Sequence, residues 1–428
     1  MIAMRKLILP LSLILVLSAC GAPVSPAATP TLIPTLPPTS IPTDAAVTLP
    51  PATQPGQFDP LLAQVSAAIA PGTYDQPLNA FPITVPQGFP PLVVVHSAGL
   101  PNFQTIPVPG HFIGLYKEFN GSWTEVAHID FGKASDAPSP DFLGVGTVRQ
   151  VFISPDRVWL EVSGGVGAHG SVYGLFAYDG ASLRPMLSAP FTLGYGEAKD
   201  LDNDSVPEVT VDVSDEYVFC YACSVRNPML DVYVWDSASA ALIKLDLQDI
   251  PAGQADPALT AANNTAVAMA RAGLWKDARS KIGEIGGGIA TSVIVQHNLM
   301  IISAIEGLAV SYASSSGYPI LSQVLYGDFE AAVALMRPTP PEQIFSAPSP
   351  LITGTPAEGF EGALASNLIS HAESALSFDP NRPAATFLLG WGQYINDPAS
   401  AEARTNIAKA AQLAPDDAFY AACAAYFK

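Results

Sequence analysis

Between about residues 57 and 250 the apolar positions come in short runs, broken by Gly, Pro, Asn and Asp. Runs of this kind, rich in β-branched and aromatic residues, predict strands. Three of them lead through turn residues into a second run. Phe112–Tyr116 passes through Asn120-Gly121 to Trp123–Val126, Val172–Tyr178 through Asp179-Gly180 to Leu183–Met186, and Leu230–Trp235 through Asp236-Ser237 to Leu242–Leu245. Asn-Gly and Asp-Gly favour hairpins because such tight turns need positive φ. The turns fall at residues 121, 180 and 237, and a further strand pattern precedes each hairpin: Leu92–His96, Val158–Val162 and Val209–Val213. A unit of three or four strands repeated at this period predicts a propeller-like or stacked antiparallel architecture, with a β-sandwich as the alternative. A closed propeller takes about four blades or more, so three units read as an open propeller fragment or a sandwich, unless elements of a fourth blade lie within residues 57–90.

Past Pro251-Ala252-Gly253 the pattern turns helical and rich in Ala. Helical periods cover Ala258–Ala272, Lys276–Ile285, Ser292–Tyr312, Leu321–Met336, Gly359–Phe378, Ala384–Ile395, Ala399–Leu413 and Ala418–Phe427. Short polar or Gly/Pro breaks separate them, as in stacked helical hairpins. The fold class expected is multidomain, β then α, with residues 57–250 and 257–428 folding independently. The Ser292–Tyr312 stretch is apolar, but Gln296, His297, Asn298, Ser303 and Glu306 interrupt it, which reads as a core helix rather than a membrane span.

The N-terminus has another pattern. Arg5 and Lys6 precede the apolar run Leu7–Val16, which ends in Leu17-Ser18-Ala19-Cys20. A basic start, a short apolar stretch and small residues before a cleavage point form a secretory signal. The tetrapeptide ending at Cys20 resembles the bacterial lipobox. The resemblance implies that residues 1–20 are a lipoprotein signal peptide, that Cys20 is acylated and begins the mature chain, and that the protein is anchored by lipid to a bacterial membrane, outside the cytoplasm. Residues 21–56 are dominated by Pro and Thr without an apolar period, and read as an extended, disordered stalk.

Composition narrows the partners. The chain has 428 residues, 49% hydrophobic and 13% charged, with a formal net charge of −19. That charge argues against nucleic acid and anionic lipid surfaces, which select basic patches, and favours cations. The sharpest candidate for a cation is Asp200-Leu201-Asp202-Asn203-Asp204-Ser205-Val206-Pro207-Glu208. Oxygen ligands at alternate positions converge when a loop curls round a hard cation. Asp200, Asp202 and Asp204, the carbonyl of Val206 and Glu208 are the expected ligands of one structural Ca²⁺. An Asp-x-Asp-x-Asp loop entering a Val-rich strand resembles the calcium loop of FG-GAP (integrin-α type, or VCBS) repeats. Ser205 and Glu208 stand where that pattern has Gly and Asp.

Of four cysteines, Cys220 and Cys223 flank Tyr221-Ala222 in a loop between strands, and an oxidising compartment favours a disulfide stapling that loop. Cys423, among small helical residues, reads as a buried hydrophobe. The Gly164–Ser171 stretch offers His169 as a base and Ser171 as a nucleophile, but a strand follows it where a nucleophile elbow would need a helix.

In the helical region Leu389-Gly390, Ala403, Ile407, Ala410 and Pro415 resemble the tetratricopeptide (TPR) pattern. Gly273, Trp275, Ala278 and Ile282, and Gly327, Phe329 and Ala332, give half-matches. Both resemblances imply binding and scaffolding rather than catalysis. The expected function is a non-enzymatic, lipid-anchored surface protein with a protein partner on the TPR-like region. Carbohydrate or cell-wall binding by the β region is one alternative, and a hydrolase near His169 another.

Overall fold

The computed structural model describes residues 47–48, 56–131, 133, 137–192, 194–214 and 217–428; the expected signal peptide, Cys20 and nearly all of the expected stalk lie outside them. These described residues belong to one compact unit.

The strand region holds three four-stranded antiparallel sheets, each a meander with neighbours in chain order. The first comprises β1 (Asn79–Ile83), β2 (Leu92–His96), β3 (Phe112–Phe119) and β4 (Ser122–Asp130). The second comprises β5 (Val148–Val151), β6 (Val158–Val166), β7 (Gly170–Tyr178) and β8 (Leu183–Thr192). The third comprises β9 (Gly196–Lys199), β10 (Glu208–Asp212), β11 (Leu230–Asp236) and β12 (Ala241–Lys244). The expected hairpins are the last two strands of each sheet. Between β3 and β4, Asn120 and Gly121 both take positive φ, 52° and 75°, as a two-residue loop demands. Residues 57–90 hold a helix, α1 (Asp59–Ala67), and β1 rather than a further unit.

The side-chain alternation of the strands builds the layers. On β2, Leu92 and Val94 pack towards the second sheet, while Val93 and Val95 pack on Phe58, Leu61 and Val65 at α1. On β6, Val158, Leu160 and Val162 face the first sheet and Trp159 faces the third. Val209 and Val211 of β10 return that contact. The order is helix, sheet, sheet, sheet, with three sheet layers where a sandwich has two. Glu161 crosses between the second and third: its carboxylate pairs with Arg149 and accepts bonds from the Tyr173 hydroxyl (2.9 Å) and the Ala198 amide (2.6 Å). Gly196 permits the close approach here, because a Cβ at that position would lie 2.2 Å from the Tyr173 ring.

The outer side of the third sheet is covered by α4 (Val293–Ser315), through Met300, Ile301 and Ile305 against Val232 and Leu245. By length and composition α4 could cross a membrane. Here Val295 and Ile302 pack on α2 (Pro257–Arg271) and α3 (Trp275–Gly283). The polar interruption at Asn298 is an anchor. Its fully buried amide accepts from the Gln248 N–H (2.9 Å) and donates to the Gln248 carbonyl (2.7 Å) and to Asn263 Oδ1 (2.8 Å), while Asn264 does the same for Ile250. The two helices thus present side-chain amides to an extended segment that has no strand partner.

Beyond α4 lie α5 (Pro319–Tyr326), α6 (Phe329–Met336), α7 (Pro341–Ile344), α8 (Glu361–Phe378), α9 (Pro383–Asn396), α10 (Ala401–Leu413) and α11 (Ala418–Ala425). The single period read over Leu321–Met336 is two helices. Gly327 (φ 85°) ends the first, and Asp328 caps the second by accepting from the Ala331 N–H. Gly390 lets α9 and α10 approach, facing Ala403 and Ile407.

The change from strand to helix falls at residues 251–256, but the packing does not divide there. Phe219, Cys223 and Val225, from the loop between β10 and β11, belong to the same core as Leu274, Tyr318, Leu321 and Phe329. The two regions differ in secondary structure and share their interior.

The first sheet yields a test of its buried polar layer. His96 is fully buried; its Nδ1 donates to the Ser97 carbonyl (2.8 Å) and its Nε2 accepts from the Asn79 amide (3.0 Å). Burial holds its pKa below the usual 6.5. A depressed histidine pKa gives stability that is present above about pH 6.5 and lost as pH falls through the folded value. Imidazole NMR should find His96 titrating below 6.5 in the folded chain; a midpoint at or above 6.5 would contradict the arrangement.

Candidate functional site

The acidic loop joins β9 to β10, with Lys199 paired to Glu208 at its base. Its carboxylates first organise its own backbone. Asp200 accepts from the N–H groups of Asn203 (2.7 Å) and Ser205 (3.0 Å), Asp202 from Asp204 (3.1 Å), and Asp204 from Val206 (2.7 Å). Glu208, buried at the strand entry, accepts from Leu201 (2.8 Å). Ser205 adopts φ 73°, the left-handed conformation that the Gly of the resembled pattern would favour, and Asn203 takes φ 66°.

One carboxylate oxygen from each of Asp200, Asp202 and Glu208 lies within 4.8 Å of the other two. Asp204 is not in that group, and Val206 gives its N–H to Asp204. Three of the four expected carboxylate ligands therefore converge. Burial, then Asp204 and Asp200, raises the pKa of Asp202. Burial first, and Asp202 and Asp204 after it, push Glu208 up to about 7, against the Leu201 N–H that lowers it. Carboxylates crowded in this way suit a hard cation with oxygen ligands, which would relieve their repulsion.

The loop is also a wall between two clefts. Asp202, Asp204 and Glu208 face one of about 650 Å³, with Arg157, Trp235 and His297. Asp200 and Asn203 face the other, of about 1000 Å³, between the third sheet and α4. Its floor is Asp212, Arg226 and Tyr312. The Tyr312 hydroxyl donates to Asp212 Oδ2 (2.5 Å) and accepts from Arg226 Nη1 (2.7 Å), which lies 3.4 Å from the same carboxylate. Arg226 Nη2 donates to the Ser214 carbonyl (2.9 Å), and the guanidinium lies 5.2 Å from the ring centres of Tyr217 and Tyr312. Burying both ions is costly unless their remaining hydrogen bonds are met, and these bonds meet them. Sequence reasoning missed this group. Its signal was Arg226, the one basic residue between Lys199 and Lys244 in a stretch rich in acids.

His169 and the cysteine pair meet at the rim of this cleft. The His169 and Tyr221 ring centres are 3.9 Å apart, and Tyr217 meets Tyr221 edge-on at 4.9 Å. Tyr221 sits inside the Cys220–Cys223 disulfide. The Ser171 hydroxyl donates to the Gly194 carbonyl. Cys423 is buried and free, and burial pushes its thiol up to about 12. Cys20 lies outside the described residues.

With the architecture in view, the comparisons add no relative: no family model, no curated protein and no solved structure matches the chain.

If Asp200, Asp202 and Glu208 hold Ca²⁺, the chain should melt higher in millimolar calcium than in chelator. A ligand at a hundredfold excess over Kd stabilises by about 2.7 kcal/mol. Asp202→Ala should abolish the shift. Magnesium or added salt doing as much as calcium, or equal melting in all conditions, would reject the site.

Proposed function

We propose that the chain is a membrane-tethered, non-enzymatic binding module outside the cytoplasm. Cys20 carries the lipid, residues 21–56 hold the folded part away from the membrane, and Ca²⁺ on Asp200, Asp202 and Glu208 stiffens the third sheet. The helical region receives a protein partner. On this reading the three like meanders are an open array of FG-GAP/VCBS-like, propeller-type units, and the helices a TPR-like array.

The observation that supports the reading best is the stacking of helical hairpins. Helix α5 contacts α8 and α6 contacts α9, first helix on first and second on second. Repeats stacked in this manner extend a surface along one dimension, and such surfaces serve recognition. The outward stripe of α8, Ser366, Ser370, Glu373 and Ser377, is exposed and polar. Against catalysis at His169 stands its ring contact with Tyr221, and the commitment of the Ser171 proton to Gly194 rather than to a base.

A photo-crosslinking residue in place of Ser370 or Ser377 should form one discrete protein adduct in intact cells. The same residue in place of Ser239, on the exposed β11–β12 turn, should form none. Absence of an adduct at both helical positions would refute a partner on α8.

A further inference from the structure

We infer that the larger cleft is a saccharide site, seating a neutral oligosaccharide against its tyrosines. This goes beyond the protein-binding reading, and no residue of α8 lines the cleft. Four features left without a role by that reading converge here: His169 of the β6–β7 turn, the Cys220–Cys223 loop, Tyr195 before β9 and the Asp212–Arg226 pair.

Tyr195 is 77% exposed and Tyr221 is 48% exposed, although both line a cavity of about 1000 Å³. A large ring left in water at the edge of a cavity offers a flat apolar face with a hydroxyl at the tip; Tyr195 is such a ring, and Tyr221 is one that already gives a face to His169. The second ring is held in place before any ligand arrives. The disulfide encloses Tyr221, buried Cys223 lies in the helical core, and its carbonyl accepts from the Gly317 N–H (2.8 Å). Preorganised rings of this kind lose little freedom on binding.

The polar lining selects among ligands. Arg226 is engaged by Asp212, Tyr312 and the Ser214 carbonyl, so the floor presents hydrogen-bonding groups rather than an uncompensated positive charge. Glu197, Lys199 and Asp200 add both signs to the lining, with acids in excess. An anionic ligand such as a phosphate or a polyanion would meet Glu197, Asp200 and Asp212. A quaternary ammonium needs ring faces directed at one point, and Arg226 already lies over Tyr217 and Tyr312. A sugar fits better. Its C–H faces pack on aromatic rings, and its hydroxyls both donate and accept, matching hydroxyls such as Ser303 and Ser311 on α4. The volume is at the upper end of small-ligand sites, which span roughly 300–1,000 Å³, so more than one sugar ring can enter.

The test is saturation-transfer NMR on the full chain in detergent, with chitotetraose, cellotetraose, maltotetraose and mannotetraose as probes at millimolar concentration. At least one should receive saturation at its ring protons. Tyr195→Ala and Tyr221→Ala should each weaken that probe about tenfold, the loss of one stacked ring. Ile106→Ser, an exposed change in another loop, should leave binding unchanged. Tyr195 is exposed, so its variant tests the site without challenging the fold. Transfer to none of the four probes, unchanged affinity in both tyrosine variants, or binding of tetramethylammonium in place of any sugar would each overturn the assignment.

Discussion

An open stack of sheets has two outer faces, and in this chain both must be shielded from water. The strands dictate that need. Alternating residues on β2 and β6 are apolar on both sides, so the first two sheets demand a neighbour above and below. A closed ring would meet the demand by returning the last sheet to the first. Among the described residues the stack does not close, and helices stand at its ends instead. Phe58, Leu61 and Val65 shield the first sheet, and Met300, Ile301 and Ile305 shield the third. Each buried side chain of this size contributes about 1.5–3 kcal/mol relative to exposure. The helical region is therefore built onto the stack, and α4 serves both.

That constraint shapes the candidate sites. The third sheet turns Val209 and Val211 inward and leaves Glu208, Thr210 and Asp212 to face outward from the stack. An outward polar row beneath an apolar helix is a conflict, resolved unevenly along its length. At one end Asp212 is neutralised by Arg226 and Tyr312. At the other Glu208 is left among acids, with its pKa raised to about 7. Between them the helix stands away from the sheet, and that gap is the larger cleft.

Much of this was legible in the sequence, for local reasons. Asn120-Gly121 and Asp179-Gly180 marked hairpins because their turns depend on neighbours in the chain. The Asp200–Glu208 loop was visible because its acids are sequential, although Asp204 lies outside the converging group and accepts from the Val206 N–H. The Cys220–Cys223 pair was readable from its spacing in a loop. What escaped depends on distance. Tyr312 reaches Asp212 across one hundred positions, and nothing local marks either as the other's partner. Asn298 looked like an interruption of an apolar helix until Gln248 was seen against it. The shared core escaped for the same reason: Phe219 and Val225 lie among strands in sequence and among helices in space.

The central claim is that α4 and the third sheet are one cooperative layer. Native-state hydrogen exchange on the full chain, read at the amides of β10, β11 and α4, tests it most directly. The account predicts that the three segments open together, with the same free energy and the same dependence on denaturant. Exchange of α4 at markedly lower free energy, while β10 and β11 stay protected, would show a helix resting on a sheet that does not need it, and would contradict the account.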